Sequence, residues 1–425
     1  MTGALEKYLG RSGFDLVRSI ADRAFALGHS SYLAGGIVRD LLLKLPHGDI
    51  DIVVEGDAIQ LAKEMAKVQG GKVTAHAGFG TATWHRAGAK VSPRSVDLAT
   101  ARTETYSAPA ALPTVRPASI EADLRRRDFS VNAIALSLDI DRWGQLLDPV
   151  GGQQDLQTGS LRVLHPRSFI DDPTRMYRAV RYEQRLGFKI GAETMELIPE
   201  ARQHVAALSP ERIRHELDLI LDESACQTTL SRLNDLGLLS SIHARLAFGP
   251  AVAERLTNVR AVDPAGVADS APRNLRWIVW LLDMPVEEVD ELSTRLALDS
   301  GLKEALRVAI TLTRETTTTG HLRPSEYVKR LHGAPELAVR AVSLSDAGSE
   351  MGKALAEYLG KWRHVLPTTS GDDLRAAGLR PGPAYGRILE RLRAARLDGE
   401  VSNNEEEKEL LKRLLQEEVA AGPRA

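Results

Sequence analysis

Apolar residues recur at two spacings along this chain, and the change from one to the other divides it. Up to about residue 150, short runs of strand character are interleaved with helix-period stretches; beyond it the helical period dominates. Residues 14–28 (FDLVRSIADRAFALG) carry apolar positions at helical spacing and stop at Gly28. Ser31 to Ala34 predicts a strand running into Gly35-Gly36, and Ile37 to Leu45 a helix halted by Pro46. Ile50 to Val54 predicts a second strand, 57–68 (DAIQLAKEMAKV) an amphipathic helix, and Gly71 to Trp84 and Ser95 to Ala99 further strands of the same sheet. The run 131–138 (VNAIALSL) fits the start of a helix or a strand, and Gly144 to Asp148 closes a mixed α/β head. After Asp148-Pro149-Val150-Gly151-Gly152, helix-period segments follow at 172–186, 193–205, 210–222, 227–237, 274–284, 286–296, 301–315, 324–332 and 334–345. Their Gly- or Pro-marked connections are as short as helix–helix loops usually are. The expected organisation is a head over 1–148, a helical neck over 149–222, a helical body over 223–370 and a helical tail over 371–425. The acidic helix 405–418 in the tail reads as solvated surface.

Composition narrows the function classes. The chain has 425 residues, too long for one core, and is 43% hydrophobic, with no apolar run approaching the ~18 residues a membrane span needs. Glu6, Lys7 and Arg11 break the first segment, so no signal peptide is expected there. One cysteine, Cys226, rules out a disulfide framework or a cysteine-rich zinc site and points to the cytoplasm. Lys plus Arg number 55 against 57 Asp plus Glu, so any nucleic-acid surface must be a local patch. Aromatics at 5% argue against broad base-stacking platforms.

Asp49 and Asp51 in GDIDIV are the sharpest chemical feature. Positions i and i+2 of a strand share a face, so both carboxylates project together while Ile50 and Ile52 face the core. Like charges held that close favour a divalent cation; the competing reading is an acidic outer strand face. Gly35-Gly36 sits a short helix upstream, where glycines let backbone N–H groups approach a phosphate, and Arg39 lies just inside that helix. Asp97, in SVDLATAR, adds a third carboxylate or a plain surface acid. Further on, Arg175, Arg178 and Arg181 recur every three residues of one helix, opened by Asp172-Pro173 as an N-cap and first-turn proline. Such a row is a solvated or salt-bridged face or an anion-facing patch. Residues 160–190 hold seven Lys/Arg against three Asp/Glu, which favours the patch. His85, His165 and His215 have no metal-ligand spacing, and no serine or cysteine sits in a nucleophile setting.

Gly35-Gly36-Ile37-Val38-Arg39-Asp40, Asp49-x-Asp51 and Arg126-Arg127-Asp128-Phe129-Ser130-Val131-Asn132-Ala133 resemble the signatures of the class II tRNA nucleotidyltransferase/poly(A) polymerase family. The resemblance continues through Asp148-Pro149-x-Gly151-Gly152, Asp171-Asp172-Pro173-Thr174-Arg175 with Arg178 and Arg181, and Glu211-Arg212-Ile213, covering roughly residues 30–220. It implies a polymerase-beta-like palm with a mixed sheet, followed by an all-α neck, body and tail. It also implies template-independent addition of C or A from CTP or ATP to the 3′ end of tRNA, with two Mg²⁺ ions bridged by Asp49 and Asp51. By the same resemblance, Gly35, Gly36, Arg39 and Arg102 clasp the triphosphate, and Arg127 and Asn132 face the nucleotide. Asp172 and Arg175 read the base edge, while Arg178 and Arg181 hold phosphates.

Two features bear on which nucleotides are added. Relatives that add CCA carry a mobile basic loop in the region of Thr103 to Ile120; here that stretch holds three prolines and one arginine, and Asp171 stands where Glu is commoner. Full addition and addition restricted to CC or A therefore stay open. Poly(A) polymerisation ranks lower because the chain ends in an acidic segment. A non-catalytic RNA- or nucleotide-binding protein is the alternative from another class. In the tail, Gly378 to Arg387 opens a helix in a manner suited to phosphate binding or to an ordinary turn; Arg380, Gly382 and Arg387 are the candidate tRNA contacts. No membrane surface and no obligate protein partner is expected.

Overall fold

Strand Ile50–Glu55 (β2) shows why the head folds as it does. Its Ile50, Ile52 and Val54 are fully buried on one sheet face, while Asp51 and Val53 project from the other. Each aliphatic side chain so buried contributes about 1.5–3 kcal/mol, so a one-residue slip, which would drive Asp51 into the core, is strongly disfavoured. In this computed structural model, which describes residues 2–46, 48–88, 93–262, 270–316 and 322–421, β2 lies inside a seven-stranded sheet. The other strands are β1 (Ser30–Ala34), β3 (Lys72–His76), β4 (Thr81–His85), β5 (Ser95–Thr100), and, after a separate hairpin of β6 (Arg102–Thr105) and β7 (Thr114–Pro117), β8 (Ala135–Ser137) and β9 (Leu146–Leu147). The order is β3-β4-β5-β2-β1-β8-β9, with β2 and β5 parallel and the remaining neighbours antiparallel.

Helices α1 (Thr2–Ala26) and α3 (Ala58–Gln69) cover one face with Val17, Ile20, Leu61 and Met65. On the other face Tyr32, Ala34 and Val53 form a second core with Ile120 and Leu124 of α4 (Ile120–Arg125). Helix α2 (Gly36–Leu43) follows β1. After the sheet come α5 (Gly152–Thr158), α6 (Ser168–Asp171), α7 (Thr174–Leu186) and the helix Pro210–Asp222. The chain divides into two compact units, Met1–Ile242 and His243–Ala425. The second is helical throughout its described residues, and its last helices close their own small core of Leu374, Ile388, Leu392 and Val401.

Several expectations change in detail. Helical structure starts at Thr2, ahead of residue 14, because two helices meet at Gly10 (φ 68°, ψ 167°), a conformation open to glycine. The ambiguous 131–138 resolves into a turn at Ser130–Asn132 and then strand β8. The expected helix 193–205 is split into short turns, with Pro199 opening one of them at its first positions. The hairpin β6–β7 was not expected: RTET and TVRP have a largely exposed, polar alternation with no apolar run to betray them. Helices Pro250–Val262 and Glu350–Gly360 likewise lie outside the expected helical segments.

Candidate active site

A cleft of about 740 Å³ opens where α2, β2, the β6–β7 hairpin, the 126–132 segment, α7 and helix Pro210–Asp222 converge. Gly35 turns the chain from β1 into α2 with φ +87°, a left-handed conformation that side chains rarely adopt, and its N–H is held by the Ile134 carbonyl at 3.1 Å. A Cβ at Gly35 would also meet the Arg127 guanidinium at 2.5 Å. The first turn of α2 thus presents Gly36 and Arg39 to the cleft.

The cleft wall is an ordered chain of charges. Arg39 is buried; it donates to Asn132 Oδ1 at 2.7 Å and to Asp40 Oδ1 at 2.8 Å. Asn132 Nδ2 donates to Asp128 Oδ1 at 3.0 Å, and Arg178 grips Asp128 Oδ2 through Nε at 2.9 Å and Nη2 at 2.6 Å. Burial alone would raise the Asp128 pKa; the Arg178 charge and the Asn132 and Arg178 hydrogen bonds override it and hold the carboxyl well below the usual carboxylate range. The Tyr182 ring is flanked by the guanidinium groups of Arg39, Arg181 and Arg178 at 5.1, 5.1 and 5.6 Å. Asp123, fully buried, accepts from Arg126 and Arg127 and from the Arg102 backbone N–H.

Asp172 and Arg175 also line the cleft. Asp172 Oδ1 accepts from Thr174 N at 3.0 Å and Thr174 Oγ1 at 2.6 Å, capping α7 from two residues ahead, and from Arg212 Nη2 at 2.6 Å. Arg175 donates to Ser168 Oγ at 2.7 Å and to the Arg126 carbonyl at 3.0 Å, leaving further N–H groups for a ligand.

The carboxylates lie on the sheet. Asp51 and Asp97 are register partners on the parallel pair β2–β5, side by side on one face ~4.8 Å apart by strand spacing. Burial first, then the charges of Asp97 and Asp49, push the Asp51 carboxyl up to about 6, against the opposing pull of Arg127. Asp97 Oδ1 accepts from Thr83 Oγ1 at 2.5 Å, and a recess of about 300 Å³ between β2, β4 and β5 joins Asp97 and Thr83 to Asp51 and Arg127. Asp49 lies exposed one residue ahead of β2. Among the described residues no group of three or more His, Cys, Asp or Glu closes around a metal position. Mutually repelling, hard oxygen donors nevertheless fit Mg²⁺, which is bound by one or two carboxylates completed by substrate phosphates rather than by an all-protein cage.

The structure therefore brings Gly35, Gly36, Arg39, Asp51, Arg127, Asn132, Asp172, Arg175 and Arg178 to one cleft. It does not bring Asp49, Asp97, Arg102 or Arg181 there: Asp97 opens on the neighbouring recess instead, and Asp49, expected on the strand face with Asp51, lies ahead of the strand, exposed and lining neither space, because β2 begins only at Ile50. Arg102 is spent on Glu104 (3.1 Å) and the Phe79 carbonyl (2.6 Å), and Arg181 is buried against Glu223 (3.2 Å) and Glu216 (3.7 Å). In the tail, Arg387 is paired with Glu418 at 2.8 Å, Gly382 has extended backbone (φ 172°) and Arg380 stays exposed. The acidic terminal helix is not merely solvated: Glu407 is buried and accepts from Thr369 N at 2.7 Å and from Arg396. Tyr182, Glu104, Tyr106, Glu216 and Arg212 also line the cleft; in the sequence their only signal is position within or beside the motifs.

Residues 31–162 match the family described as poly A polymerase head domain, and residues 187–247 the family described as probable RNA and SrmB-binding site of polymerase A. The A-adding tRNA nucleotidyltransferase of Geobacter sulfurreducens is 34% identical over 96% of this chain, which spans about half (48%) of that relative. The A-adding tRNA nucleotidyltransferase of Halalkalibacterium halodurans is 33% identical over 92% of this chain and 90% of its own length. CC-adding and CCA-adding enzymes are among the further relatives. A solved CCA-adding enzyme in an apo form superposes with a TM-score of 0.77 at 30% identity, over 95% of each chain.

Proposed function

The chain belongs to the tRNA nucleotidyltransferase/poly(A) polymerase family, and from that premise we propose that it adds A to the 3′ end of a tRNA, using ATP and releasing pyrophosphate. The observation that carries the reaction class is the shared cleft. It sets Gly35 and Gly36 backbone, the Asp51 carboxylate and the Asp172–Arg175 pair around one space large enough for a nucleotide. Restriction to A is supported by the likeness to A-adding relatives and by the contacts that hold the loop after β6 at Ala110. Addition of all of CCA is the second reading, supported by the likeness to the solved CCA-adding enzyme.

In the proposed mechanism the first turn of α2, with Gly35, Gly36 and Arg39, receives the triphosphate, and Arg127 lies between it and the sheet. Members of this superfamily generally use divalent metal ions. Asp49 and Asp51, with Asp97 beside them, would hold two Mg²⁺, which supply neutralisation of phosphate charge and a lowered pKa for the attacking 3′-hydroxyl. Asp172 Oδ2 accepts from an exocyclic amine and Arg175 donates to the neighbouring ring nitrogen, a pattern offered by the Watson–Crick edges of adenine and cytosine but not by those of uracil or guanine. The matched RNA-binding region at 187–247 and exposed Arg380 are assigned to tRNA, the domain roles follow the neck, body and tail expected from the sequence, and the location assigned is the cytoplasm. Among the described residues no helix is long and apolar enough to cross a membrane.

The test is incorporation of each labelled NTP with Mg²⁺ on one tRNA ending at the discriminator base, after C and after CC. ATP used only on the CC end supports A addition. CTP on the first two ends together with ATP on the third establishes CCA addition. Long A tails identify a poly(A) polymerase, and no incorporation leaves a non-catalytic binder. Arg175→Ala is expected to lower the preference for ATP over UTP at least tenfold; an unchanged ratio removes Arg175 from base reading.

A further inference from the structure

The loop between β6 and β7, residues 106–113, forms part of the cleft through Tyr106 and Pro113, and it does not hang free. Ala110, at its turn, sits at φ +62°, a conformation that a non-glycine residue keeps only when its surroundings hold it. Two contacts hold it. Its N–H donates to the Ile170 carbonyl of α6 at 3.3 Å, and its own carbonyl accepts from Arg212 Nη1 at 2.8 Å. The other arm of the same guanidinium, Nη2, is the group that grips Asp172 Oδ1 at 2.6 Å. One planar fork thus spans the loop and the base-facing carboxylate, a role that a point-charge ammonium cannot reproduce.

We infer that Arg212 is a specificity-determining positioning residue: it latches the β6–β7 loop to Asp172 and so fixes where the base-reading carboxylate stands in the cleft. The inference rests on the nucleotidyl-transfer reading above. Oδ1 of Asp172 already receives three donors, so Oδ2 alone is left to accept from the base. Adenine and cytosine present the same amine-and-ring-nitrogen edge, and they differ in how far that edge lies from the sugar. A carboxylate fixed at one distance therefore selects between them by size, whereas a carboxylate free to shift would serve both. The latch makes the choice single.

The experiment compares wild type, Arg212→Lys, Ala110→Pro and the double variant. Ala110→Pro attacks the latch from the loop side, since proline cannot keep φ +62° and has no N–H for Ile170. KM and kcat are measured for ATP and for CTP on the tRNA end that wild type extends. Expected for each single variant is a rise of about tenfold in KM for the preferred nucleotide with kcat changed less than threefold. The preference between ATP and CTP should fall at least tenfold, and the double variant should be no worse than either single one. A general weakening of the fold would instead lower kcat for both nucleotides alike. Preference retained in both single variants, or additive losses in the double variant, overturns the latch. A wild type that incorporates no nucleotide overturns the reading on which it rests, before any variant is compared.

Discussion

Asp51→Ala is expected to lower nucleotide incorporation at least 10³-fold, while Asp51→Asn, measured without divalent metal at pH 8, melts several degrees above wild type. Both follow from one arrangement. Asp51 is pushed up to about 6 by burial and by the charges of Asp97 and Asp49, from an ordinary value of 3.8. The folded state therefore binds a proton that the unfolded state has lost between about pH 4 and 6. Stability falls as pH rises through that window, and above it the ionised carboxylate costs about 2–3 kcal/mol. Removing the charge with an isosteric amide relieves that cost, and it also removes an anionic ligand for a bound cation. With Mg²⁺ added, the ordering should reverse, wild type gaining in melting temperature while Asp51→Asn gains little. A fully active Asp51→Ala would dismiss the metal assignment. An Asn variant no more stable than wild type at pH 8 would show that the strand face tolerates its charges unaided.

How much of this was legible beforehand divides along physical lines. Strand β2 could be read because burial acts on alternate residues, so the pattern of Ile50, Ile52 and Val54 also dictates where Asp51 points. The α2 turn could be read because glycine is the residue a left-handed backbone demands. Local signals of that kind carry no information about what a long side chain does after it leaves its helix. Arg175, Arg178 and Arg181 share one spacing, yet Arg175 and Arg178 line the cleft and Arg181 is buried among glutamates contributed from residues 216 and 223. Arg102 sits beside the site in sequence and is consumed by Glu104 on its own strand. The hairpin β6–β7 was invisible for the complementary reason: its register is set by pairing and by tethers at Ala110, not by an apolar face. In the tail Arg387 reads as a cation for RNA, but it is matched inside its own unit by Glu418, as Arg391 of the same helix is by Glu400 and Arg396 by Glu407.

Asp128→Ala is expected to destabilise the first unit by about 2–4 kcal/mol, at or below the cost of about 3–5 kcal/mol for a fully buried ion pair, because the Arg178 side chain stays 30% exposed and keeps Glu216 at 3.7 Å. The loss should exceed that from any single arginine on the cleft wall. Asp128 is the common acceptor of the wall: Asn132 and the Phe129 N–H share Oδ1, and both arms of Arg178 meet at Oδ2. Through Asn132 it also reaches Arg39, so one carboxylate ties the phosphate end of the cleft, on α2, to the helix that carries Arg175. Its pKa lies well below the ordinary 3.8, so its contribution is complete above about pH 4 and fades as pH falls toward the folded value. Urea unfolding of wild type, Asp128→Ala, Arg178→Ala and the double variant from pH 7 to pH 3 measures this. The double variant should be less destabilised than the sum of the two single ones by at least 2 kcal/mol at pH 7, because removing both partners strands neither. That coupling should shrink at pH 3, where part of the unfolded reference is already protonated. Additive losses at pH 7 would mean that the pair is not linked, and that the cleft wall is held by packing around Tyr182 and Phe129 instead.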